Sequence, residues 1–84
     1  MSENEFDVLD ELYFVTSYDE LEKRLPDLTE ELVSVLVSLL TQGFIKCLMN
    51  ESDEEIFVVD KFTFNYKKYN YLATKAGLLA HNSK

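Results

Sequence analysis

Apolar residues recur along this chain with two different periods, and the change falls at Gly43. Before it, Phe6, Leu9, Leu12 and Tyr13 follow the three-to-four spacing of one helical face. Asp7, Asp10 and Glu11 turn outward, which predicts a first helix from Phe6 to about Val15. Ser17 and Glu20 form a Ser-x-x-Glu capping box, in which hydroxyl and carboxylate each satisfy a free backbone N–H at a helix start. The short second helix this predicts ends near Leu25, because Pro26 disfavours helical geometry in the residue before it. Thr29 offers the next N-cap, Glu30 and Glu31 suit the positive end of a helix dipole, and Leu28 is placed to staple against Val33. The third helix carries Leu32, Val33, Leu36, Val37, Leu39 and Leu40 over more than half its circumference. Its outer stripe is narrow, Glu30, Glu31, Ser34, Ser38 and Thr41, so most of it is expected to be buried. Gly43 can adopt the left-handed conformation that closes a helix, with Phe44 packing back on the last turn.

After Gly43 the period becomes two. Ile45, Cys47 and Met49 alternate with Phe44, Lys46 and Leu48, and the polar run Asn50 to Glu55 turns the chain into the β-branched and aromatic stretch Ile56 to Val59. This predicts a hairpin. Phe62, Phe64 and Tyr66 alternate with Thr63 and Asn65, and two arrangements fit: a continuation of the second strand past Asp60 and Lys61, or a third strand after a turn there. Tyr69 to Ala73 reads as a last strand, and Thr74 caps a short terminal helix carrying Leu78 and Leu79, weakened by Gly77.

Composition narrows the function classes. At 84 residues, 46% hydrophobic and 13% aromatic, with 2 Gly and 1 Pro, the chain can bury one core and no second domain, so 1–84 is read as a single unit. The formal net charge of −8 is unevenly placed. Residues 1–42 hold eleven acidic and two basic side chains, and residues 43–84 five acidic and six basic, so the helical half opposes a phosphate backbone. The acidic first half, including Asp7, Asp10, Glu11, Asp19, Glu20 and Glu22, reads as a solvated helix face, with imitation of nucleic acid or docking on a basic partner as the sharper alternatives. One cysteine excludes an internal disulfide, and Cys47 with the single His81 cannot complete a Cys/His zinc site; no metal and no cofactor is expected. Cys47 reads as a small buried hydrophobe, and His81 as a residue of a loose C-terminus without a catalytic or metal role. No glycine-rich phosphate loop is present, and no carboxylate pair is marked as sharing a cleft, so an enzyme is not expected. The first residues carry no basic cluster or apolar core of a signal. The longest apolar stretch, Leu32 to Leu40, is interrupted by Ser34 and Ser38 and falls short of the roughly 20 residues a bilayer requires, which predicts a cytoplasmic protein.

Three N-terminal helices (Phe6–Val15, Ser17–Leu25 and Thr29–Gly43), a hairpin and the closing Tyr71-Leu72-Ala73-Thr74-Lys75-Ala76-Gly77 together resemble the winged helix-turn-helix domain of small prokaryotic regulators, including the multiple-antibiotic-resistance type. The resemblance implies an α+β, winged-helix-like fold: three helices, a β-hairpin wing, a last strand and a short C-terminal helix. In DNA-binding members of that family the third helix lies in the major groove, where base reading needs Arg, Lys, Asn or Gln. Here that helix departs from the pattern, having no Lys or Arg between Thr29 and Gly43. The expected function is therefore a non-catalytic interaction or regulatory module, docking on a protein partner or on a second copy of itself as a homodimer. Its candidate contact residues are Lys61, Phe62, Phe64, Tyr66, Lys67, Lys68, Tyr69 and Tyr71, the one basic and aromatic segment. Alternating core aromatics beside lysines that guard an edge strand describe the same segment. The alternative function is a DNA-binding regulator using Ser34, Ser38, Gln42, Lys61, Lys67 and Lys68.

Overall fold

The computed structural model of the chain describes residues 1–49, 54, 55 and 57–83. It is an α+β fold in which helices α1 (Glu3–Asp10), α2 (Tyr18–Arg24), α3 (Leu32–Thr41), α4 (Val59–Asn65) and α5 (Lys75–Asn82) accompany a four-stranded sheet. The strands are β1 (Thr16–Ser17), β2 (Ile45–Leu48), β3 (Glu54–Glu55) and β4 (Asn70–Ala73). They are arranged in the order β1-β4-β2-β3, every pairing antiparallel.

Local chemistry explains most element ends. Ser2 and Glu5 form a reciprocal capping box, so α1 starts earlier than the apolar spacing predicts. It also ends at Asp10 rather than Val15. The chain tightens there through Glu11 N–H to Val8 O and Leu12 N–H to Leu9 O, both 3.0 Å, keeping Leu12 in the core without a further helical turn. Ser17 caps α2, its hydroxyl accepting the Glu20 N–H at 3.2 Å, but the Glu20 carboxylate expected to close the capping box lies 3.3 Å from Arg24 Nε instead. Thr29 does not cap α3. Its hydroxyl donates to Pro26 O in a 3-10 turn over Pro26–Leu28, and α3 begins three residues later without a side-chain cap. Gly43 closes α3 at φ +76, with Gly43 N–H donating to Leu40 O and Phe44 N–H to Leu39 O. These are the two bonds of a Schellman end.

The hairpin forms, with Cys47 opposite Glu55 and Leu48 opposite Glu54, so its second strand lies earlier than Ile56–Val59. Ile56 itself, like the turn 50–53, lies outside the described residues. The larger correction is α4. Phe62, Phe64 and Tyr66 belong to neither a strand continuation nor a third strand, because residues 59–65 are helical. A spacing of two and a spacing of four coincide at Phe62 and Tyr66. The helix buries Phe62, leaves Tyr66 half-buried and turns Phe64 to solvent. Phe62 packs among Phe57, Tyr66, Tyr69 and Tyr71 at ring distances of 5.7 to 6.2 Å, and that tertiary burial overrides the strand preference of aromatic and β-branched residues.

The core joins α1, α2, α3 and the sheet through Val8, Leu9, Leu12, Leu21, Leu32, Leu36, Leu39 and Tyr71, each without exposed area. Each such leucine contributes about 1.5 to 3 kcal/mol by leaving water. Thr74 caps α5 by accepting the Gly77 N–H, and its own hydroxyl donates to Gly43 O at 2.6 Å, tying the last helix to the end of α3. Among the described residues no helix is long and apolar enough to cross a membrane.

Candidate functional site

The predicted contact segment divides into core and surface. Phe62 (1% exposed), Tyr69 (6%) and Tyr71 (0%) are core residues and present no face to a partner. The Tyr71 hydroxyl donates to Tyr66 O at 2.7 Å, and burial pushes its ionisation well above the usual tyrosine range, so it stays a neutral structural donor. Tyr66 is half-buried with its ring edge-on to Tyr18 at 5.0 Å. What remains outside is Phe64, 86% exposed, with exposed Lys61, Lys67 and Lys68. Lys61 and Phe64 are three apart on α4 and share its outer face, and Val58 and Val59, both exposed, extend the apolar surface at the helix start. In the sequence the two valines read as the end of the strand Ile56 to Val59.

Of the positions proposed for duplex contact, Ser34 and Ser38 lie on α3 and Gln42 at its C-cap, and these three are engaged within the chain, while Lys61, Lys67 and Lys68 lie on and after α4. The Ser34 hydroxyl donates to Glu31 O at 2.8 Å, and the Thr41 hydroxyl to Val37 O at 2.7 Å. Ser38 and Gln42 both donate to one carboxylate oxygen of Glu5, at 2.8 and 2.7 Å, reaching across from α3 to α1. The other oxygen accepts the Ser2 N–H at 2.8 Å. That backbone bond, helped by Ser38 and Gln42 against the opposing effect of burial, holds the Glu5 carboxyl down to about 2. An anion therefore sits on the only amide and one of the three hydroxyls of this face, and Glu30 and Glu31 are exposed at its N-terminal side. Arg24 lies 3.6 Å from Glu11 and Lys46 3.9 Å from Glu54, so neither adds an uncompensated cation.

Two further features lie outside the predicted segment. An open cavity of about 370 Å³ beside β2 is lined by Leu40, Ile45, Cys47 and Phe57, with Lys46, Glu54 and Thr74 as its polar groups. Cys47 is buried, as its alternation with Ile45 predicts. His81 is not at a loose end. It is 9% exposed in α5, its ring stacked on Phe6 of α1 at 4.0 Å and 17°, with Nδ1 2.7 Å from the Tyr13 hydroxyl and Nε2 3.5 Å from Asp10 Oδ1. The spacing of four between Gly77 and His81 was the one sequence signal for this burial, since both fall on the inner face of α5. Among the described residues no group of three or more His, Cys, Asp or Glu side chains is placed to hold a metal ion.

Comparison of the chain with family models, with curated proteins and with solved structures gives no significant match.

Proposed function

We propose that this chain is a winged-helix-like, non-catalytic interaction module that meets an acidic protein surface, a second copy included, through the outer face of α4. The observation that carries this reading is the 86% exposure of Phe64 beside Lys61, Lys67 and Lys68 on a chain of net charge −8. A large ring in water is the usual anchor of a contact, and cations beside it select an acidic face. Residues 1–42, with their excess of carboxylates, offer such a face on a second copy. The winged-helix-like reading is supported by the strand between α1 and α2 pairing with β4, which in turn pairs with the strand directly after α3. A single, buried cysteine, Cys47, suits a reducing compartment, the cytoplasm in this reading. Duplex binding through α3 is disfavoured because each phosphate contact works through a cation, and α3 holds none, with the carboxylates of Glu30 and Glu31 immediately before it.

Light scattering over a concentration series at low and high salt tests the reading. The expected result is a mass that rises with concentration, falls with salt, and stays monomeric in Phe64→Ser and in the Lys67→Glu/Lys68→Glu double variant. A strict monomer in every condition removes self-association. A titration of duplex DNA that shows tight binding with a log–log salt slope near −0.9 per neutralised phosphate would replace this reading with the DNA-binding one.

A further inference from the structure

Three side chains from α1, the turn after it and α5 meet in an order that the interaction reading does not use. Tyr13 Oη lies 2.7 Å from His81 Nδ1, and His81 Nε2 lies 3.5 Å from Asp10 Oδ1. The imidazole is held in place: it is 9% exposed, stacked on Phe6 at 4.0 Å, and edge-on to the Tyr13 ring at 5.4 Å and 76°. Its Nε2 is enclosed and, among the described residues, has no hydrogen-bond partner. The Asp10 separation is too long for a hydrogen bond, yet an anion there favours the tautomer carrying its proton on Nε2. Nδ1 then presents a lone pair to the Tyr13 hydroxyl. That hydroxyl has a second, weaker acceptor in Asn82 Oδ1 at 3.4 Å. Tyr13 itself is 38% exposed and precedes Phe14, which is 83% exposed, so the phenol is open to solvent on a partly apolar surface while its base is dry.

A nucleophile within hydrogen-bond reach of a base, and that base oriented by a third group, is the arrangement that activates hydroxyls. From this geometry we infer that Tyr13 is an acyl-accepting nucleophile, with His81 as its general base and Asp10 as a positioning residue, and that its substrate class is the activated acyl donor, an aryl ester or acyl phosphate. In the step, Tyr13 Oη bonds to the acyl carbon and its proton passes to His81 Nδ1. The bond from the acyl carbon to the leaving oxygen breaks, and the leaving group departs with the electron pair. The imidazolium returns the proton to that group or to water. The product is O-acyl-Tyr13, so the event is a single modification and not turnover. It is independent of the proposed α4 contact.

The test uses p-nitrophenyl acetate on the full chain, with peptide mapping by mass spectrometry and N-acetyltyrosinamide in the same solution as an internal reference. The expected result is that Tyr13 is acetylated at least about tenfold faster than the reference, and that His81→Gln removes about 10²-fold or more of that rate, the scale of general-base assistance. Because exposure alone would also favour Tyr13 over the other tyrosines, the decisive comparison is between variants. Asp10 has a 62% exposed side chain, so Asp10→Asn keeps the fold and should slow acetylation severalfold even if His81→Gln does not fold. A Tyr13 rate equal to the reference, or one unchanged in Asp10→Asn and in folded His81→Gln, overturns the inference.

Discussion

Replacing Gly77 by alanine sets two effects of known size against each other. Gly77 lies in the first turn of α5, where intrinsic propensity favours alanine by about 1 kcal/mol. A Cβ built there, however, overlaps the carbonyl carbon and oxygen of Phe44 and comes 3.2 Å from Leu9 Cδ2. The obstructing atoms are backbone, and they cannot turn aside as a side-chain tip would. Phe44 O also accepts the Thr74 N–H at 3.0 Å, beside the 2.6 Å bond from the Thr74 hydroxyl to Gly43 O. Relief therefore requires the start of α5 to move off the junction of α3 and β2. Overpacking of this kind costs about 1 to 3 kcal/mol. A weakened N–H···O bond adds about 1 kcal/mol, which offsets the gain in propensity. The net expectation is a loss of about 1 to 3 kcal/mol, or about 5 to 20 °C in Tm for a domain of this size. Thermal and urea unfolding followed by circular dichroism measure it. Gly43→Ala is the control: a Cβ there meets nothing within 4 Å, so its cost is only the left-handed backbone, about 1 to 2 kcal/mol. A Gly77→Ala protein as stable as the parent, or more so, would refute the close approach of α5 to Phe44.

Other consequences are equally open to measurement. Phe62→Ala should cost about 3 to 5 kcal/mol by urea unfolding, whereas Phe64→Ser should stay within about 0.5 kcal/mol; comparable costs would restore the strand, in which both rings share a face. Glu5→Ala should lose about 1 kcal/mol at neutral pH through the lost capping box and the bridge to Ser38 and Gln42. The Glu5 carboxyl is held down to about 2 from an ordinary 4.5, so its contribution is complete above 4.5 and is lost as pH falls from there towards 2. Because this carboxylate is largely solvated, the contribution is set at about 1 kcal/mol rather than at the full shift. An acid-unfolding profile of Glu5→Ala should accordingly be flatter between those limits, and an unchanged slope would contradict the assignment. Tyr71→Phe should cost about 1 kcal/mol or more, by leaving Tyr66 O without its donor, and a neutral effect in thermal unfolding would argue against that bond.

Features read correctly from the sequence are those whose cause lies within a few residues. Ser17 caps its helix, Gly43 with Phe44 closes α3, Thr74 starts α5, and Cys47 is buried on the inner side of β2. Each is a local device with one geometric solution. Residues 59–65 are ambiguous in the sequence because Phe62 and Tyr66 satisfy both periods, and the choice between helix and strand is made by Tyr69, Tyr71 and Phe57 packing on Phe62. The candidate surface shares that ambiguity. Its lysines were legible as the chain's basic cluster, but which aromatic stands in water depends on whether residues 62 and 64 share a side. The Glu5 bridge, the need for a bare backbone at Gly77 and the setting of His81 join residues far apart in sequence, up to 68 positions in the Tyr13–His81 pair, where no periodicity can report them.

Amide hydrogen exchange of the chain at low and high concentration tests most directly where it meets a partner. If the outer face of α4 is the contact, protection should rise with concentration across residues 58–68 and leave Ser34 to Gln42 unchanged. Protection confined to α3, with α4 unaffected, would contradict the account.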